Sequence, residues 1–154
     1  MKSLTSHKNS SLLMVLIGLT LCFIWGNSLM PASISGAISA HLKDAINLLL
    51  GDAGSSQSLS GDGLLRKLAH ASEFAVLGAE LTLLLRVQFK RGLPFLLLTG
   101  LSTALVDETI QLFSDGRSAQ IKDVWIDLGG FIVGCLVTAA IAALYARHRP
   151  QKRR

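Results

Sequence analysis

Ten side chains able to bind a ligand or move a proton are concentrated in apolar parts of the sequence. Lys67, His70 and Glu73 recur every three residues, so on a helix they share one face. The other seven lie further along the chain: Asp107, Glu108, Gln111, Arg117, Ser118, Asp123 and Asp127. The cations suit anionic ligands, whereas the carboxylates and the imidazole suit acid–base catalysis or metal binding.

The segments that carry these residues are apolar enough to cross a membrane. Half of the 154 residues are hydrophobic and only 16% are charged, which is more apolar surface than a soluble core of this size can bury. A spanning helix needs roughly 20 apolar residues. The sequence predicts spans at 12–30, 68–85, 93–113 and 124–145. A cleaved signal peptide is the alternative for the first run, but the further spans favour a retained helix.

The predicted fold class is therefore all-α, a four-transmembrane-helix bundle. Residues 1–11 and 146–154 form the tails, and residues 12–145 form the membrane domain. In the loop 31–67, apolar residues from Ile34 to Leu49 recur at helical spacing and predict a short amphipathic helix. Gly51 to Gly63 is typical of a flexible linker. Gly130 and Gly134, four residues apart, permit close helix contact in the last span.

The distribution of basic residues predicts the orientation. Ten of the fifteen lysines and arginines lie in the N-tail, in the loop after the second span and in the C-tail, without any acidic residue. They are Lys2, Lys8, Arg86, Lys90, Arg91, Arg147, Arg149, Lys152, Arg153 and Arg154. The positive-inside rule then places both termini in the cytoplasm. The basic tail is interpreted as a topology anchor or lipid contact, and no nucleic-acid partner is predicted.

Helix rise places the ionisable residues at one depth. Glu73 and the Asp107–Glu108 pair each lie about 20 Å from the cytoplasmic ends of their helices, and Asp127 lies near the outer edge. Charges facing lipid are costly, so these side chains should meet in an outer polar pocket. We expect Arg117 to pair with one carboxylate and His70 with another. Glu80 lies deeper, with no evident partner.

The chain resembles the VanZ-like family of bacterial membrane proteins. The motifs that carry this resemblance are Arg66 to Gly78, Asp107 to Phe113, Gly116-Arg117-Ser118, and Asp123 to Gly130. Phe74 departs from the family pattern, in which a hydroxylated aromatic residue is common. The resemblance implies a bacterial cell-membrane location and a cell-envelope role. The family is named for a component that gives teicoplanin resistance.

Three functional interpretations remain open. In the first, a non-enzymatic protein binds a cell-wall precursor, a lipid head group or a lipoglycopeptide in the outer pocket, without a cofactor or metal. In the second, an intramembrane acid–base or metal-assisted enzyme acts on an envelope lipid, and His70, Glu73 and Glu108 are the candidate metal ligands. The third, a small transporter, is less favoured because transport sites usually lie near the midplane.

Overall fold

A computed structural model describes residues 2–50, 62–85 and 89–148. Five α-helices make up this part of the chain: α1 (Lys2–Leu29), α2 (Ala32–Leu50), α3 (Asp62–Leu85), α4 (Phe89–Gln111) and α5 (Ile121–His148). The predicted linker residues 51–61, the loop residues 86–88 and the tail residues 149–154 lie outside the described residues. The all-α prediction is confirmed.

Four of these helices are long and apolar enough to cross a bilayer. The candidate spans are Ser10–Leu29, Leu64–Leu85, Gly92–Gln111 and Ile121–Arg147. They confirm the predicted four-helix membrane bundle, and α2 is the additional helix between the first two spans. The protein is therefore a multi-pass membrane protein associated with the lipid bilayer.

Several helix ends differ from the sequence-based expectations. Helix α1 already begins at Lys2, inside the predicted N-tail, and α3 begins at Asp62, inside the predicted linker. Helix α4 ends at Gln111, two residues before the expected end of the third span. It ends there because the chain turns, with the amide of Phe113 bonded to the carbonyl of Ile110 and that of Ser114 to the carbonyl of Gln111.

The four spanning helices form a closed ring in the order α1, α3, α5, α4. Helix α3 makes its most extensive contacts with α5 and also packs against α1 and α2, while α4 contacts both α5 and α1. At one end of the ring, α1 and α4 finish while α3 and α5 begin. We call this the polar end of the bundle, because the ionisable residues gather there.

Glycines allow α3 and α5 to approach closely. A Cβ atom on Gly130 would overlap the carbonyl of Ala71, and one on Gly134 would overlap the carbonyl of Ala75. From the opposite helix, a Cβ on Gly78 would overlap the carbonyl of Phe131. The predicted role of Gly130 and Gly134 in helix contact is confirmed, and the α3–α5 pair holds the polar residues of both helices at a fixed separation.

The apolar core lies in the middle of the ring. Ile24, Phe74 and Phe131 are completely buried, and Leu77 and Leu96 are nearly so. Phe74 packs within this cluster, so the residue that departs from the family pattern occupies an apolar environment in which a hydroxyl group would have to find a partner. Many large apolar side chains elsewhere are exposed, as expected of helices that face lipid.

Candidate functional site

Asp107 is the centre of a buried hydrogen-bond network at the polar end. Its carboxylate is fully buried. Ser28 donates a 2.7 Å hydrogen bond to Oδ1, and Gln111, one turn later on α4, donates a 2.9 Å bond to Oδ2. The Ser114 hydroxyl in turn donates to the backbone carbonyl of Ser28 at 2.7 Å. The network fixes the carboxylate and ties the end of α1 to the end of α4.

Two glutamates at the same level have separate partners. The amide of Asn27 on α1 donates a 2.8 Å bond to Glu73 on α3. The backbone amide of Gln120, just before α5, donates a 2.8 Å bond to Glu108. The second carboxylate oxygen of each glutamate is buried without a hydrogen-bond partner among the described residues. Both glutamates therefore retain acceptor capacity for a further group.

An ion pair joins α3 to α5, and an imidazole on α3 approaches a carboxylate on α4. Lys67 lies 2.7 Å from Asp123, and His70 Nδ1 lies 3.8 Å from Asp107 Oδ2. The first is a direct ion pair, and the second is too long for a hydrogen bond. The imidazole of His70 therefore faces the carboxylate of Asp107 without a hydrogen bond, and the expected pairing of His70 with a carboxylate is present only as this 3.8 Å approach.

Arg117 is half-buried, but its expected ion pair is not formed. Within the described ranges, no carboxylate lies within 4.0 Å of its guanidinium, and its Nε and Nη1 atoms are buried without hydrogen-bond partners. Burial is the main cause that lowers the pKa of Arg117, and repulsion from Arg66 adds to it. The group still carries its charge at neutral pH, so the site contains a cation whose donors are not satisfied by the surrounding protein.

Two cavities meet at His70. The first, which we call the Arg117 cavity, has a volume of about 130 Å³ and is lined by residues of α1, α2 and α3 together with Arg117. Its polar lining residues include Asn27, Arg66 and Glu73. The second, the inner cavity, measures about 10 Å³ and lies between His70, Glu108 and Asp127. That is room for about one water molecule.

A groove on the side of the bundle borders Glu73, which also lines the Arg117 cavity. This lateral groove lies between α1 and α3, has a volume of about 440 Å³, and is lined by Leu19, Thr20, Phe23, Ser72, Glu73 and Val76. Its three large apolar side chains are each more than half exposed. Glu73 lines both this groove and the Arg117 cavity, so the lateral groove and the Arg117 cavity share one carboxyl group.

Comparison with known proteins decides the family. The family model described as VanZ/LLP1 matches residues 11–142, which is most of the chain. The chain belongs to the VanZ/LLP1 family. No curated protein and no solved structure matches it.

The motifs behind the VanZ-like resemblance converge at the polar end. The α3 motif supplies Lys67, His70 and Glu73, and the α4 motif supplies Asp107. The α5 motif supplies Asp127, which is only 2% exposed. In this VanZ/LLP1 protein the motifs therefore lie together at the polar end, where His70, Asp107 and Asp127 are buried and Lys67 and Glu73 are partly exposed.

Ser118, Glu80 and the candidate metal ligands are placed differently from the sequence-based expectations. Ser118 is exposed and lines neither cavity, although Gln120 donates a weak 3.5 Å bond to it. Glu80, for which no partner was expected, accepts a 3.1 Å bond from Thr20. Among the described residues, the three ligand-type side chains brought within 4.8 Å of one another are those of His70, Asp107 and Asp127. This is a different set from His70, Glu73 and Glu108.

Sequence reasoning missed the contribution of α1. Asn27 and Ser28 complete the hydrogen bonding of Glu73 and Asp107, yet neither residue was included among the candidates. The available signal was a pair of adjacent polar residues near the end of an otherwise apolar run, directly before Pro31. Ser114 was also missed, because it lies in a connecting segment, and Arg66 was included in the motif that begins α3 but not among the candidate side chains.

Proposed function

We propose that this VanZ/LLP1 protein binds an amphiphile of the bacterial cell envelope that has an anionic head group and a long apolar chain. The head group would occupy the Arg117 cavity, and the chain would lie in the lateral groove. A membrane lipid, a lipid-linked cell-wall precursor and a lipoglycopeptide share this chemistry. We further propose that the polar end faces outward, with both termini in the cytoplasm of a bacterial cell.

The observation that supports this proposal is the unsatisfied guanidinium of Arg117. Burying a charged group without partners is unfavourable unless an opposite charge joins it. Arg66 also lines the Arg117 cavity, so two cations are available there. Lys67, by contrast, is paired with Asp123. A phosphate or carboxylate suits guanidinium donors well, because these charge-assisted hydrogen bonds are the strong ones.

The lateral groove supports the second half of the proposal. Its exposed apolar side chains face the side of the bundle, where lipid chains lie. Because Glu73 lines both spaces, a molecule whose head group contacts Arg117 can extend its chain past Glu73 without leaving the protein surface. A free inorganic anion would use only the cavity.

The binding experiment uses the purified full-length protein in detergent, with three separate probes. These are phosphatidylglycerol, a polyprenyl phosphate and teicoplanin, with phosphatidylcholine as a comparison lipid without net charge. Arg117→Gln should weaken binding of the preferred anionic probe by at least about tenfold, the value of one charge-assisted bond. The matched control is Lys122→Gln, since Lys122 is exposed and lines neither cavity. Thermal unfolding establishes that both variants are folded.

The three probes distinguish the sources of the ligand. Tight binding of one anionic probe over phosphatidylcholine, lost in Arg117→Gln alone, supports the proposal and identifies the class. Equal binding of all probes, or equal losses in both variants, contradicts it. In cells, a deletion strain complemented with Arg117→Gln and challenged with envelope-active agents should remain as sensitive as the deletion, whereas Lys122→Gln should restore the wild-type response.

A further inference from the structure

Two buried aspartates at the polar end form no ion pair with a lysine or arginine among the described residues. Asp107 is 0% and Asp127 is 2% exposed, and no lysine or arginine nitrogen of the described residues lies within 4.0 Å of either carboxylate. Asp107 at least accepts two hydrogen bonds. Asp127 accepts none from the described part of the chain. Buried carboxylates of this kind need compensation by an opposite charge or by protonation.

Beside the two aspartates lies the imidazole of His70, whose Nδ1 atom has no hydrogen-bond partner in the part of the chain that the structure describes. His70 is 9% exposed, and its Nδ1 atom is buried and unbonded. Nδ1 lies 3.8 Å from Asp107 Oδ2, so the imidazole is directed at the carboxylates. One ligand atom from each of His70, Asp107 and Asp127 lies within 4.8 Å of the other two.

We propose that His70, Asp107 and Asp127 bind a divalent transition-metal cation, for which Zn²⁺ is the suitable probe. One imidazole nitrogen and two carboxylate oxygens form a ligand set that suits Zn²⁺. A divalent cation would neutralise both carboxylates in a region of low dielectric constant. Ligand atoms about 2.1 Å from a metal are about 3–4 Å apart, so the cluster needs only a small contraction.

The surroundings of the cluster fit a metal site. Ser28 and Gln111 each donate a hydrogen bond to one oxygen of the Asp107 carboxylate. Such outer-sphere hydrogen bonds commonly orient the carboxylates that bind metals. Three protein ligands leave a coordination position open. The inner cavity, which His70 and Asp127 both line, provides room there for about one water molecule or ligand oxygen. This inference does not depend on the amphiphile proposal.

The test measures Zn²⁺ binding to the purified full-length protein after chelator treatment. Wild type should bind about one equivalent, and its thermal unfolding temperature should rise on Zn²⁺ addition. Asp127→Asn and Asp107→Asn should each weaken Zn²⁺ binding by at least about tenfold. Asp115→Asn, which changes an exposed acid of the adjacent loop, should bind like wild type.

A second measurement uses wild type alone, so it remains decisive if the aspartate variants do not fold. Zinc K-edge absorption of the loaded protein should show one imidazole and otherwise oxygen ligands, without sulfur. Failure of wild type to bind Zn²⁺ would overturn the proposal. So would unchanged binding by a folded Asp127→Asn variant, or a spectrum that contains sulfur or lacks imidazole.

Discussion

The hydroxyl of Ser28 donates a 2.7 Å hydrogen bond to the carboxylate of Asp107, seventy-nine residues later in the chain. Both residues are fully buried. Ser28 is the penultimate residue of α1, and Asp107 lies one turn before the end of α4. This contact therefore connects two parallel helices at the level of the candidate site and orients its most buried carboxylate.

Removal of this hydroxyl should destabilise the protein. Ser28→Ala leaves Oδ1 of Asp107 without its donor, at an expected cost of about 1–2 kcal/mol. Reversible unfolding in mixed micelles measures the change. In a double-mutant cycle with Asp107→Ala, which removes the acceptor, the coupling free energy should exceed about 0.5 kcal/mol. Strictly additive losses would show that the two residues do not interact.

The contact between α3 and α5 predicts a steric effect. Gly134→Ala should lower the free energy of unfolding by about 1–3 kcal/mol, because the added methyl group overlaps the Ala75 carbonyl and the backbones must separate. Gly129→Ala is the matched control, since nothing lies within 4 Å of a Cβ there. The control should be neutral or slightly stabilising, as alanine favours helix. Equal effects at the two positions would contradict the packing.

The ion pair between Lys67 and Asp123 should contribute little. The two side chains are 31% and 14% exposed, so water and salt screen their attraction. A double-mutant cycle with Lys67→Gln and Asp123→Asn should give a coupling free energy of about 0.2–1 kcal/mol that decreases as ionic strength rises. A value of several kcal/mol, independent of salt, would mean that the pair is far less hydrated than its exposure indicates.

The proposed orientation can be tested by chemical labelling. In a protein with Cys22 and Cys135 replaced by alanine, Ser118→Cys should react in intact cells with a membrane-impermeant maleimide, because Ser118 is exposed at the polar end. Lys152→Cys in the basic tail should react only after the membrane is permeabilised. The reverse pattern would place the polar end in the cytoplasm.

Sequence patterns predicted the helices and the level of the polar residues, because both follow from apolar length and helix rise. They did not predict which side chains meet, since that depends on how each helix is rotated and where its connecting segment runs. Arg117 is an example of a side chain whose neighbours could not be predicted from the sequence. Gly116 adopts a left-handed conformation with φ of 73°, and the guanidinium of Arg117 lines a cavity instead of forming an ion pair with a carboxylate of the described residues.

The polar pair in α1 was visible in the sequence, but its partners could not be predicted for a related reason. Asn27 and Ser28 are uncharged polar residues of a kind that commonly hydrogen-bonds across membrane helices, but their positions in the sequence do not identify the helices that they face. Their partners become evident only once the ring order of the helices is known. The partner of Glu108 could not be predicted either. The backbone amide of Gln120 donates this hydrogen bond, and a backbone donor is present whatever the residue type.

The position of the lateral groove determines which concentration of the ligand would control its binding. Because the groove opens to the side of the bundle, the proposed amphiphile, if already in the leaflet, would reach Glu73 by diffusing in two dimensions. Occupancy would then follow the mole fraction of that amphiphile in the leaflet and would be insensitive to the volume of the aqueous phase. Diluting the sample with empty vesicles that exchange lipid should reduce binding, whereas diluting it with buffer should not.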